Sequence, residues 1–252
     1  MASENELLKK RFIELSRRSH SNGVYCFTDF LGLSEQSLFV EARRDFAAVS
    51  VTLFGGVPGA ERVMARFGSE EELGWHEDFP IVCIKAEPVS QKFADKLTHR
   101  DFLGALLNLG ISRSTLGDIP ISDNVGYIFA KRDIADFIIS ELKRVKHTDM
   151  KLSILEALPD FPLYKTEIKR VQANGERIDA LIAKAYSLSR EEASLLFSRG
   201  SVFVNGRLSA SASYIPKINE IISVRGRGRM RYLGYETTTK KGKLNINLEL
   251  YV

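Results

Sequence analysis

Glu176-Arg177-Ile178-Asp179-Ala180-Leu181-Ile182-Ala183-Lys184-Ala185, then Ser189-Arg190-Glu191-Glu192-Ala193, then Arg199-Gly200-Ser201-Val202-Phe203-Val204-Asn205-Gly206, carry the densest structural signal in this 252-residue chain. Ile178, Leu181, Ile182 and Ala185 follow the i, i+3, i+4, i+7 spacing of a helix with one apolar face. Ser189 and Glu192 have the spacing of a capping box, in which the serine oxygen accepts an early helical N–H and the glutamate reaches back to the serine amide. A second helix therefore starts there, buries Ala193, Leu196 and Phe197, and ends at Gly200, which can take the left-handed conformation. Ser201 to Val204 predicts a strand, Asn205-Gly206 a tight hairpin turn because both residues tolerate positive φ, and Ile221 to Val224 a further strand.

Downstream, Arg225-Gly226-Arg227-Gly228-Arg229-Met230-Arg231 places arginine at every second position. In an extended chain all four guanidinium groups would face one side about 6.7 Å apart. Neighbours would then repel by roughly 0.6 kcal/mol even in water, a repulsion that a polyanion relieves. Tyr232–Thr238 and Leu244–Tyr251, joined across Lys240-Lys241-Gly242-Lys243, predict a closing hairpin with Leu244, Ile246, Leu248 and Leu250 facing inward.

Upstream, residues 5–18 read as an amphipathic helix and Glu35 to Arg44 as a short one. From Phe46 the pattern becomes strand (46–54), helix (60–67), strand (80–89), helix (98–109), strand (127–130), helix (132–143) and an extended stretch near 151–156. The expectation is an α+β chain of three parts: an N-terminal helical region (1–45), a central α/β sandwich (46–160) and a C-terminal module (165–252). Leu158-Pro159-Asp160-Phe161-Pro162 is the linker candidate. Gly55 to Gly59 invites a phosphate-loop reading, but the lysine and hydroxyl of that motif are missing. The segment is expected to be a tight strand-to-helix turn.

Composition bounds the partners. With 44% hydrophobic and 27% charged residues the chain can bury a core, and its formal charge is only +4. The distribution is uneven: residues 1–90 sum to −4, residues 91–164 to 0, and residues 165–252, with 16 basic and 8 acidic side chains, to +8. Excess positive charge in the last third is the footprint of a polyanion-binding module. The acidic first third leaves a protein partner open. Cys26 and Cys83 stand without a C-x-x-C pair or a histidine cluster, so they read as ordinary reduced thiols. The charged N-terminus lacks a signal-peptide core and no apolar run reaches membrane-spanning length, so a cytoplasmic protein without membrane contact is expected.

The stretch Arg177-Ile178-Asp179, Ser189-Arg190-x-x-Ala193, Arg199-Gly200-x-Val202-x-Val204-Asn205-Gly206 and Ile222-x-Val224-Arg225 resembles the S4-type RNA-binding domain over about fifty residues. It departs where Asn219-Glu220 replaces the usual Gly-Asp before the last strand. In that family two short helices and an adjoining loop grip structured RNA. Arg177 and Arg190 suit such a task because a planar guanidinium binds phosphate at two points. Arg177 could instead pair locally with Asp179 or Glu176. Arg190, in a helix's first turn, opposes the helix dipole and so favours an external anion.

Gly55-Gly56-x-Pro58-x-Ala60-Glu61-Arg62, His99-Arg100-Asp101-Phe102-Leu103-Gly104-Ala105-Leu106-Leu107-Asn108-Leu109-Gly110-Ile111-x-Arg113 and Gly117-Asp118-Ile119, ahead of that module, are similar to the YlmH family of bacterial S4-domain proteins. The resemblance implies a central domain with an RNA-recognition-like fold and an S4 (αL-type) domain extended by a β-hairpin. It implies a non-catalytic protein that binds rRNA and tRNA on the large ribosomal subunit, in quality control of stalled nascent chains. The cell-division label common in the family reflects gene neighbourhood. The expected RNA-contacting residues are Arg177, Ser189, Arg190, Arg199, Asn205, Gly206, Arg207, Lys217, Arg225, Arg227, Arg229 and Arg231, with Arg100, Arg113, Lys131 and Arg132 in the central domain. No catalytic residue, metal ligand or cofactor is expected, and Asp101 and Asp118 read as structural caps. The competing classes are an RNA-modifying enzyme, of pseudouridine synthase or methyltransferase type, and a scaffold for cell division.

Overall fold

The computed structural model describes residues 3–156, 166–240 and 242–251. The linker candidate 158–162 lies outside the described residues. The chain divides into two compact units, Met1–Leu163 and Tyr164–Val252. Among the described residues it is α+β, with seven α-helices and three antiparallel sheets.

The first unit opens with α1 (Glu4–Asn22), capped by the Ser3 hydroxyl at one end and by left-handed Gly23 at the other. After β1 (Cys26–Phe27) and α2 (Leu33–Ala42) come β2 (Val51–Phe54), β3 (Met64–Phe67) and the single turn α3 (Glu70–Leu73). The three strands pair antiparallel in the order β1-β3-β2. Ala65 and Phe67 face α1 and α2 in a cluster with Phe12, Leu15, Leu38 and Phe39, while Met64 faces a second cluster containing Phe30, Cys83 and Phe129. Residues on both sides of position 45 thus share one cluster, so 46–67 pack with the N-terminal helices.

Two expectations fail here. Residues 60–67 do not form a helix: 64–67 are a strand with buried residues on both faces, and a segment that short shows no alternation that separates strand from helix. Consequently the Gly55–Gly59 loop joins two antiparallel strands, and no helix N-terminus follows it to attract an anion. Gly56 is required by packing. Its φ is +100°, and a Cβ there would lie 2.5 Å from the Phe129 ring.

The second sheet comprises β4 (Ile81–Pro88), β5 (Ile121–Ser122), β6 (Val125–Lys131), β7 (Arg144–Val145) and β8 (Thr148–Ile154), in the order β5-β6-β4-β8-β7. Helices α4 (His99–Asn108) and α5 (Ala135–Glu141) bury Phe102, Leu106, Ala135 and Ile138 against Val82, Ile84, Ile128 and Ala130 on one face. Alternation supplies the other face, where Ile81, Cys83 and Phe129 join the Phe30 cluster. Both cysteines are buried and free.

The second unit is a six-stranded sheet with two helices. Its elements are β9 (Thr166–Ala173), α6 (Ile178–Ala185), α7 (Arg190–Ser198), β10 (Val202–Val204), β11 (Arg207–Leu208), β12 (Ile221–Val224), β13 (Gly228–Thr238) and β14 (Leu244–Tyr251). The order is β11-β10-β12-β13-β14-β9. Ile178, Leu181, Ile182, Ala193 and Phe197 from the helices close over Val202, Ile222, Met230, Ile246 and Leu248. β9 was not legible in the sequence. Only its Val171 and Ala173 are buried, and Ile168 is exposed, so the alternation is too weak to read.

Candidate nucleic-acid interface

The capping box at α7 forms as the spacing requires: Glu192 N donates to Ser189 Oγ (3.1 Å) and Ser189 N to Glu192 Oε2 (2.7 Å). These hydrogen bonds, helped by the nearby Arg227 guanidinium, hold the Glu192 carboxyl below its ordinary range. Ser189 is thereby committed to the helix, and Arg190 becomes its first helical residue. The α6 N-terminus is closed differently, with Ile178 N donating to Tyr214 O (2.8 Å) and Asp179 N to Ala212 O (3.3 Å). Arg177, the residue before α6, forks onto Asp179 with Nε–Oδ1 at 3.1 Å and Nη2–Oδ2 at 2.7 Å, and Asp179 raises the arginine's pKa. Two of its five N–H groups are so used, and the exposed guanidinium keeps three.

Between the end of β9 and the two helices lies a groove of about 410 Å³, lined by Gln172, Asn174, Lys184, Arg190 and Lys243 among others. A hollow of about 210 Å³, sharing Asn174, Ala180 and Arg190 with it, adds Arg177 and Asp179. Together they present four cations, Arg177, Lys184, Arg190 and Lys243, against one carboxylate, Asp179. Lys184, Arg190 and Lys243 are exposed. The sequence singled out Arg177 and Arg190 but missed Lys184, Lys243, Gln172 and Asn174. Lys184 sits on the polar side of an expected helix, whereas Gln172 belongs to the unforeseen strand β9.

Other expected contacts have structural duties. Asn205 and Gly206 both have positive φ, 47° and 75°, and form the two-residue turn that pairs Val204 with Arg207. Asn205 Oδ1 also accepts Ile221 N at 2.9 Å. Where the S4 pattern has Gly-Asp, Asn219 takes the left-handed conformation (φ 72°), and Glu220 accepts from Asn205 Nδ2, Tyr214 Oη and Lys217 N. The pair thus closes the turn that leads into β12. Burial and the Glu220 contact push the Tyr214 hydroxyl up to about 12. Arg199 caps the C-terminus of α7 with its guanidinium exposed, ahead of Gly200 at φ 61°.

The four-arginine ribbon is not uniformly extended. Val224 pairs with Gly228, so residues 225–227 form a turn and only Arg229 and Arg231 lie in a strand. The glycines explain the difference: Gly226 and Gly228 take φ of 76° and 135°, backbone freedom that lets the chain reverse instead of continuing. The guanidinium of Arg225 stacks on Phe203 at 4.7 Å, and those of Arg229 and Arg231 lie 5.5 and 5.9 Å from the Tyr251 ring. Arg231 also pairs with Glu249 at 3.4 Å.

In the first unit, exposed Arg100 shares a shallow surface of about 630 Å³ with Lys143, Arg144 and Lys146. Arg113 lies elsewhere: its Nη1 donates to Leu116 O (2.8 Å) and Gly117 O (3.0 Å). Lys131 pairs with Asp29 and Asp133, while Arg132 is exposed. Asp101 caps α4 by accepting Thr98 N at 2.8 Å and pairs with Lys146. Buried Asp118 accepts Glu61 N at 2.7 Å, fastening the loop after Gly59. Both carboxylates are thus held by the fold. Among the described residues no cluster of three or more His, Cys, Asp or Glu side chains could hold a metal ion, and no helix is long and apolar enough to cross a membrane.

Residues 75–158, which contain the second sheet and its helices, match a family described as "Putative RNA-binding domain in YlmH". The match falls within the first unit and precedes in sequence the basic C-terminal unit. The chain is 30% identical over 226 residues, covering 88% of it and 86% of the relative, to the ribosome-associated protein quality control protein P2 of Bacillus subtilis (strain 168). The chain belongs to the YlmH family. Among solved structures it is similar to the cell division protein ylmH from Streptococcus pneumoniae, with TM-score 0.48 and 19% identity over 62% of this chain and 93% of that one.

Proposed function

We propose that this chain is a cytoplasmic RNA-binding protein with no catalytic step of its own, which associates with the large ribosomal subunit through rRNA and tRNA and acts in quality control of stalled nascent chains. The observation that carries this reading is the groove between the end of β9, α6 and the start of α7, with its adjoining hollow, where four cations face one carboxylate. Such a surface neutralises phosphates, and its affinity comes mainly from counterion release. The printed name of the Bacillus subtilis relative supports the ribosomal setting. On this reading residues 165–252 are an S4-type domain whose helices meet structured RNA by shape, and β4 to β8 with α4 and α5 are an RNA-recognition-like sandwich. Arg100 with Lys143 and Arg144 would supply its contacts, and the acidic first third would meet a protein.

The test is co-sedimentation with large ribosomal subunits. Replacing Arg177 and Arg190 by Ala removes two exposed guanidinium groups and no buried contact, so the variant should keep its fold and lose association. Unchanged co-sedimentation refutes the assignment.

A further inference from the structure

The sheet of the second unit has a second face that the helices leave alone. Paired strand residues share a face, and one row crosses all six strands: Leu208, Phe203, Ser223, Arg229, Tyr251 and Thr166. The row beside it includes Arg231 and Glu249. The opposite face, with Val202, Ile222, Met230 and Leu248, is the one that α6 and α7 bury. The outward row holds two aromatic rings three strands apart, about 14 Å at the usual strand spacing. Each ring carries a guanidinium: Arg225 lies over Phe203, and Arg229 and Arg231 lie by Tyr251. Glu249, in the neighbouring row, pairs with Arg231.

We infer that this outward face binds a single-stranded RNA segment, with bases stacked on Phe203 and Tyr251 or on the guanidinium planes beside them, and phosphates held by Arg225 and Arg229. The inference rests on the RNA-binding role proposed above but assigns a different surface and a different form of RNA. A duplex keeps its bases stacked inside and offers a sheet only phosphates. An unpaired strand exposes base faces, which stack on aromatic rings and arginine planes, while its backbone tracks cationic side chains. Two rings in one row, with Arg229 between them and Arg225 over Phe203, match that pattern. A protein partner would call for a contiguous apolar patch, whereas within these two rows the exposed apolar residues, Leu208 and Ile168, stand at opposite edges of the sheet.

The experiment measures binding of the full chain to two fluorescein-labelled RNAs by anisotropy: an oligouridine of about 12 nucleotides, which has no hairpin, and a stable hairpin. Phe203→Leu and Tyr251→Leu keep apolar volume but remove the aromatic face, and a thermal melt confirms each variant's fold. If one fails to fold, Phe203→Tyr, which retains a ring and should retain binding, and Arg225→Ala take its place. Each leucine variant should weaken oligouridine binding by roughly tenfold, from the loss of one stacked base, and leave hairpin binding within about twofold. The inference is overturned if oligouridine affinity is unchanged, if both RNAs are weakened equally, or if the wild-type chain binds the hairpin alone. Failure of the wild-type chain to bind either RNA would overturn the RNA-binding role as well. Ultraviolet crosslinking of 4-thiouridine oligonucleotide should place adducts at Phe203 or Tyr251, and adducts confined to α6 and α7 would oppose the assignment.

Discussion

Replacing Lys184, Arg190 and Lys243 together by Ala isolates the groove's contribution to RNA binding. All three side chains are exposed, so the cost to stability should stay within about 0.5 kcal/mol per site. If each neutralises one phosphate of a duplex segment, the slope of log K against log salt should become shallower by roughly 2.7, at about 0.9 per contact. Over a fourfold rise in salt, from about 50 to about 200 mM, the wild-type chain should lose roughly 40-fold more affinity than the triple variant. The assay is anisotropy titration of a labelled hairpin RNA at four or five salt concentrations, with each variant's melting curve as control. Parallel slopes for the two proteins would refute phosphate neutralisation in the groove, even if the variant bound more weakly at every salt concentration.

Two further outcomes test the packing. Gly56→Ala should destabilise the first unit by about 2 kcal/mol or more, because φ is +100° and the new Cβ meets Phe129 at 2.5 Å; a denaturant midpoint equal to wild type would contradict this. Burial pushes the Cys83 thiol from its ordinary 9.0 up to about 12, so the stability linked to it is complete below pH 9.0 and declines as pH rises toward 12, by about 1.4 kcal/mol per pH unit. Cys83→Ala should therefore lose less stability than wild type between pH 9 and pH 11, and identical pH profiles would count against it.

The parts of the fold that could be read in advance are those where a local rule has one solution. Ile178 to Ala185 had a helical period, Ser189 and Glu192 a capping geometry, and Asn205-Gly206 a turn that needs two positive φ values; each formed within a residue or so of expectation. Where burial is two-sided, periodicity vanishes, and Met64 to Phe67 was read as helix although it is a strand between two clusters. Where burial is weak, as in β9, the signal vanishes for the opposite reason. Candidate RNA contacts show the same division. Residue type marked Arg113 and Asn205, yet their hydrogen bonds tie them into the fold.

Sequence by itself determined the helix pair with its caps, the hairpins of the last third and the location of the excess positive charge, because those follow from neighbours within a few positions. Tertiary structure decided which cations meet. Lys184 and Lys243, 59 positions apart, line one groove with Arg190, next to Arg177, because the pairing of Leu244 with Ala173 sets Lys243 at the end of β9, which leads into α6. It also decided that the arginine run turns at Gly226 and Gly228, which puts two of its guanidinium groups on Tyr251 and a third on Phe203. Strand pairing joins residues by register rather than by spacing, and spacing is all that one sequence displays.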